Sequence, residues 1–161
     1  MPTGTYNHSL FGKVTFETEH REKWVRGDHI TFTKGFDIKD ITKVTIPQLV
    51  GIKGVKDGVL PFHKKGHAQL KKSFIEIQTA GLLPIIKTCG GSLNFRLRRP
   101  ISGKLSKLPS QHAFGIAIDL NEDDGKNGQT VAPLAPIFKA NGFTWGKAFN
   151  DPTHFEISKF V

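Results

Sequence analysis

Short runs in which apolar and polar residues alternate fill residues 10–50. Val14 and Phe16 alternate with polar neighbours, and Ile30-Thr31-Phe32-Thr33 is a second β-branched and aromatic run. Val44-Thr45-Ile46 is a third, stopped by Pro47. This two-residue period predicts half-buried strands. Residues 51–58 are glycine-spaced and charged, a connection and a candidate boundary between an N-terminal layer and the rest. Over 64–80 the period changes: Leu70, Phe74 and Ile77 fall at i, i+4 and i+7 with lysines on the other side, which predicts a helix. Gly81 stands where a left-handed C-terminal residue belongs. Residues 82–87 read as a strand, Gly90-Gly91-Ser92 as a turn, and 92–109 as a long basic loop with Pro100 and Pro109. A short strand over 115–120, a polar loop over 121–129 and a helix over 130–140, ended by Asn141-Gly142, follow. Phe143-Thr144-Trp145 and residues 154–157 complete the strands. The expected class is α+β.

Composition changes this picture little. The 161 residues suit one domain with an added layer, and 37% hydrophobic with 23% charged content describes an ordinary globule rather than a disordered chain. No apolar run approaches the ~18–20 residues of a membrane span. The start, Met1-Pro2-Thr3-Gly4-Thr5-Tyr6-Asn7-His8, lacks a basic region followed by an apolar one, so synthesis without a signal peptide is expected. Cys89 is the only cysteine; it excludes an internal disulfide and any zinc finger, and reads as a small buried hydrophobe. The net charge of +9 favours a polyanionic partner, but its lysines and arginines are dispersed, so charge alone selects no ligand.

The candidate chemistry lies in the C-terminal half. Ser110-Gln111-His112-Ala113-Phe114-Gly115-Ile116-Ala117-Ile118-Asp119 and Asp151-Pro152-Thr153-His154-Phe155-Glu156 place imidazoles and carboxylates on apolar strands, where an unpaired charge is costly. Two His and one carboxylate with a water complete a catalytic zinc site. His112 and Asp119 are seven apart, ~23 Å in one extended strand, so they can share an ion only if the chain bends; Gly115 supplies the freedom. Asp119 and Ala117 then face one side, with Ile116 and Ile118 towards the core. His154 and Glu156 share a face, with Phe155 on the core side. The resulting site has His112, Asp119 and His154 as ligands, Asp151 as base, and Glu156 supporting an imidazole. His63 and His67 have the spacing of a zinc helix, but Lys64 stands where its glutamate belongs, and they read as surface histidines at a helix start. His8, His20 and His29 have no partner in the sequence.

These two segments resemble the motifs SxHxxGxAxD and [DE]xxH of the zinc D-alanyl-D-alanine carboxypeptidase and L-alanyl-D-glutamate endopeptidase family. Gly142-Phe143-Thr144-Trp145-Gly146 is similar to a run that precedes the second motif in endopeptidase members. Gly90-Gly91-Ser92-Leu93-Asn94-Phe95-Arg96 resembles the glycine-rich stretch ending in an active-site arginine. The resemblance covers residues ~44–160. It implies a small antiparallel sheet with flanking helices, of the hedgehog and D-Ala-D-Ala-peptidase kind, over 44–161. Residues 1–43 are then a β-rich extension: an added sheet layer, a flap over the substrate or a docking element. It also implies one Zn2+ per chain on His112, Asp119 and His154, with Asp151 as catalytic base and Arg96 binding substrate or the oxyanion. Arg98 is the second choice for the arginine in the Arg96-Leu97-Arg98-Arg99 run. Ser110, Arg98, Trp145 and Glu156 are expected to bind substrate or support the ligands. The base is Asp where many relatives have Glu.

The function so implied is hydrolysis of peptidoglycan stem peptides, most nearly by an L-alanyl-D-glutamate-type endopeptidase. The protein would be a monomer acting in the periplasm or cell wall after delivery by phage lysis, a phage tail or a secretion apparatus, with anionic wall polymers as further partners. A non-catalytic zinc-containing wall-binding module is the alternative, against which Asp151 and Arg96 argue. Specific nucleic-acid binding rests only on charge and on Trp24, Phe32 and Phe36, and is not expected.

Overall fold

The computed structural model describes residues 1–21, 27–99, 104, 106–124, 126–127 and 129–161; Trp24 and Pro100 lie outside them. β1 (Thr3–His8), β2 (Gly12–Glu19) and β3 (His29–Lys34) form an antiparallel sheet in that order. Val14 and Phe16 of β2 and Ile30 of β3 are buried, as the alternation predicts. β1 has no such signal, because Gly4, Tyr6 and His8 are its inward residues and none is aliphatic. Gly4 has a packing reason: a Cβ there would lie 2.6 Å from the Phe16 ring.

β4 (Ile41–Thr45) and β5 (Val59–His63) pair antiparallel across residues 51–58. β4 runs through residues 43 and 44. Val14 packs in the same core as Val44, Ile46, Leu49, Leu60 and Phe62. A 3-10 turn, Lys64–Gly66, leads into α1 (His67–Thr79), which buries Leu70, Phe74 and Ile77 as the helical period requires. Gly81 follows with φ +74.

The strand expected over 82–87 is a 3-10 turn, Leu83–Ile85, instead. Pro84 sits in the first turn of this 3-10 segment, where its fixed φ suits the turn and its missing N–H costs no bond. The strand comes later as β6 (Cys89–Gly91), using glycines that read as a turn. β6 joins β7 (Ala117–Leu120), β9 (His154–Ile157) and β8 (Phe143–Trp145) in an antiparallel sheet ordered β6-β7-β9-β8. The helix expected over 130–140 is a 3-10 turn (Ala132–Leu134) continued by α2 (Ala135–Ala140). Phe138 of α2 stacks on Phe155 of β9, ring centroids 4.4 Å apart, and meets Phe74 of α1 edge-on. Two helices and small antiparallel sheets thus share one core, and the class is α+β. Cys89 is buried in that core. Among the described residues, no helix is long and apolar enough to cross a membrane.

Candidate functional site

The two central strands of the C-terminal sheet carry the chemistry. In their register Asp119 pairs with His154, Ile118 with Phe155 and Ala117 with Glu156. Since side chains alternate, Phe155 and Ile118 enter the core while Asp119, His154 and Glu156 occupy the other face. His112 arrives from outside the sheet. It sits in a 3-10 turn, Gln111–Phe114, begun by the Ser110 hydroxyl accepting from the His112 N–H at 3.2 Å. Gly115 closes this turn at φ +68, and a Cβ there would press on Ile41 and the His63 nitrogen at 3.0 and 3.2 Å. This is the bend that the separation of His112 and Asp119 requires.

Three donor groups converge as a result. His112 Nε2 lies 3.2 Å from Asp119 Oδ2, and His154 Nδ1 lies 3.2 Å from both Asp119 Oδ1 and His112 Nε2. A tetrahedral ion with bonds near 2.0 Å has ligand–ligand edges of about 3.3 Å. The His112–Asp119–His154 group therefore fits a metal ion, and its donor set is a zinc set. All three side chains are less than a fifth exposed. Burial alone would raise the Asp119 carboxyl, but the hydrogen bonds and charge of His112 and His154 outweigh it and hold it below the usual range. Burial would likewise lower His154; its hydrogen bonds with Asp119 and Glu156 prevail and raise it to about 9.

The surrounding groups orient this cluster. Glu156 Oε1 accepts from His154 Nε2 at 2.9 Å, which aims the opposite nitrogen, Nδ1, at the cluster. Asp151 Oδ2 stands 3.7 Å from that same Nδ1, with its side chain half-exposed on the open side. Desolvation raises the Asp151 carboxyl against the pull of His154, and the Asp119 charge adds to the rise. Trp145 donates its indole N–H to the Pro152 carbonyl at 2.6 Å, and the Asp151 N–H donates to the Gly146 carbonyl at 2.8 Å. Only a glycine fits at 146, where a Cβ would lie 2.2 Å from the Asp151 oxygen. The Phe149 ring, half-exposed, lies edge-on to His154 at the rim.

The three arginines separate. Arg96 Nη1 donates to the Leu97 carbonyl at 3.1 Å. Arg98 donates to the Pro109 carbonyl and reaches the Tyr6 hydroxyl at 3.5 Å. Arg99 is exposed, and its charge acts on Asp151 and Glu122.

His63 is a correction to the expected surface histidine. It is 1% exposed; its ring Nδ1 accepts from the Lys65 N–H, and its backbone N–H donates to the Gly115 carbonyl at 2.7 Å. His67 donates to the Phe62 carbonyl at 2.9 Å. Neither joins the donor cluster. Two neighbours of the site escaped the sequence. Glu122 lies against Gly90, where a Cβ would meet its carboxylate, and burial raises its carboxyl beside Asp119. His8 bonds Gln111, next to His112, across 103 positions of chain that no spacing argument spans.

Fold and cluster together define an α+β protein with a His-Asp-His group able to hold a metal. Residues 104–157, about a third of the chain and holding both motifs, match the model of a peptidase family described as D-alanyl-D-alanine carboxypeptidase. Over that segment the family resemblance read from the motifs is borne out. No curated protein and no solved structure matches the chain.

Proposed function

We propose that the protein is a zinc-dependent peptidase of peptidoglycan stem peptides, most nearly an L-alanyl-D-glutamate-type endopeptidase with the hedgehog-like arrangement of that family. The observation that carries this reading is the convergence of His112, Asp119 and His154 at mutual donor distances of 3.2 Å with a carboxylate beside them. His112 Nε2, His154 Nδ1 and an Asp119 oxygen would hold the ion. Zinc, when bound, supplies Lewis-acid polarisation of the scissile carbonyl and acidifies water. Asp151 takes a proton from the attacking water and returns it to the leaving amine; its raised affinity for protons suits a base near neutral pH. Glu156 keeps the His154 ring in one orientation, and Trp145 and Ser110 hold the segments that bear Asp151 and His112. Arg96, by motif register, binds a substrate carboxylate or the developing oxyanion, with Arg98 second. Wall peptides carry free carboxylates, and the net +9 favours adsorption to anionic wall polymers in the periplasm or wall.

The test is digestion of purified peptidoglycan with mass spectrometry of the products, with chelator and then zinc. Stem-peptide fragments that depend on zinc and fall by about 10²–10⁴-fold in Asp151→Ala are the expected result. Stoichiometric zinc with no wall type cut would leave a non-catalytic wall-binding module.

A further inference from the structure

The N-terminal sheet does not end at β3. The Ile30 N–H donates to the Phe95 carbonyl at 3.1 Å and the Leu97 N–H to the Asp28 carbonyl at 2.8 Å, with His29 and Arg96 paired antiparallel. On its far side the same rib takes two more bonds. The Arg98 N–H donates to Leu108 at 2.8 Å, and the Ser110 N–H donates to Arg96 at 2.9 Å. A continuous backbone ladder therefore runs from β1 to Ser110, the residue that begins the His112 turn. Side chains follow the same route: Phe16, Ile30, Leu97 and Ala113 form a small buried core of their own, and Ala113 is the residue after His112.

His8 closes this arrangement. It is 5% exposed, edge-on to Phe114 with centroids 4.4 Å apart. Its Nδ1 accepts the Leu10 N–H at 3.0 Å, so the ring proton sits on Nε2. That Nε2–H donates to Gln111 Oε1 at 2.7 Å, a short bond between buried and half-buried partners. Gln111 is the first residue of the turn that presents His112. That turn is pinned by Ser110 and by the Asn94 N–H on the His112 carbonyl, its Ala113 and Phe114 side chains are packed among apolar neighbours, and His8 holds the side chain of its first residue, Gln111.

We propose that the N-terminal sheet is a built part of the metal centre and that His8 is its positioning residue, holding Gln111 so that the turn aims His112 at Asp119 and His154. This rests on the zinc reading above. A ligand whose backbone can shift by even ~1 Å loses the near-ideal edge lengths that tight coordination needs, and partners behind a metal ligand are typically worth ~10–100-fold in affinity.

The experiment measures zinc affinity by competition with a chromophoric chelator for wild type, His8→Phe, His8→Gln, Gln111→Leu and the His8→Phe/Gln111→Leu pair. Phenylalanine keeps a ring among Phe11 and Phe114 but removes both the donor to Gln111 and the acceptor of the Leu10 N–H, so Gln111→Leu, which deletes the bond from its other end alone, isolates the His8–Gln111 contact. The expected result is a fall of about 10-fold for His8→Phe and for Gln111→Leu, no further fall in the pair, and recovery in His8→Gln, whose amide can donate at the same place. Wild-type affinity in His8→Phe, or losses that add in the pair, overturns the proposal. Failure of the zinc reading shows separately, as a wild type that binds no zinc. Amide hydrogen exchange then decides: the Ala113 and Gly115 N–H groups should exchange faster in His8→Phe while α1 is unchanged, and equal protection in both proteins overturns the positioning role.

Discussion

The C-terminal sheet and the N-terminal sheet are both small and antiparallel, yet they carry information differently. In β7 and β9 nearly every side chain is buried, so each polar residue there must be satisfied by another, and Asp119, His154 and Glu156 satisfy one another. In β1 and β2 one face is solvated, and the polar residues on it need no partner. The first sheet thus announces its chemistry through residue types on short apolar strands. The second acts through what its inward face touches, which is the segment bearing Arg96 and the turn bearing His112. On the proposed reading one sheet would hold ligands directly, and the other would fix where one of them stands.

Removing a ligand gives the largest expected effect and sets the scale for the contrast. Asp119→Ala takes the one carboxylate from between two imidazoles. Zinc stoichiometry should drop from one per chain to none detectable, and wall digestion should disappear with it. The N-terminal change His8→Phe should weaken binding by only about tenfold. Equal losses for the two would erase the distinction between holding a ligand and positioning it.

Proton release comes next. In the metal-free protein His154 is raised to about 9, because its hydrogen bonds with Asp119 and Glu156 overcome burial. A histidine raised above its ordinary 6.5 contributes stability that is fully present below pH 6.5 and is lost as pH rises through about 9. Zinc must displace the Nδ1 proton, so its affinity should climb about tenfold per pH unit from 7 and flatten near 9, with about one proton released at pH 7. Calorimetry in buffers of different ionisation enthalpy measures that proton. Affinity unchanged between pH 7 and 9 would show that His154 enters the metal-free cluster neutral.

The C-terminal half was largely legible because its signals are local. Strand periodicity marks β7, β8 and β9, and the bend that His112 and Asp119 demand falls on Gly115, which has the left-handed φ. The convergence of His112, Asp119 and His154 followed from residue type and alternation. Other features depended on distant partners. β1 turns a glycine, a tyrosine and a histidine inward, so no hydrophobic period marks it. The apolar residues of the 82–87 run suggest a strand, but Pro84 takes the first turn of a 3-10 segment, a place its fixed φ suits. His63 read as exposed among lysines, yet the Gly115 carbonyl and the aromatic rings of Phe11 and Phe36 enclose it. His8 and Gln111 each look ordinary, and only the fold makes them a pair.

The smallest expected effect probes how closely the N-terminal sheet is docked. Gly27 stands at φ +104, where a Cβ would lie 2.4 Å from the Leu97 oxygen and 3.0 Å from that of Arg98. Gly12, the first residue of β2, has φ +75, but a Cβ there meets nothing within 4 Å. Alanine at either position incurs the left-handed penalty of about 1–2 kcal/mol. At 27 it must also push backbone carbonyls away, and those carbonyls belong to the rib that joins β3 to Ser110. Gly27→Ala should therefore lower the melting temperature by roughly 2–12 °C and exceed the loss in Gly12→Ala. It should also loosen zinc binding, which Gly12→Ala should leave alone. Equal melting temperatures with unchanged zinc affinity would mean that the rib yields without disturbing the His112 turn. The two sheets would then be neighbours in the fold rather than parts of one site.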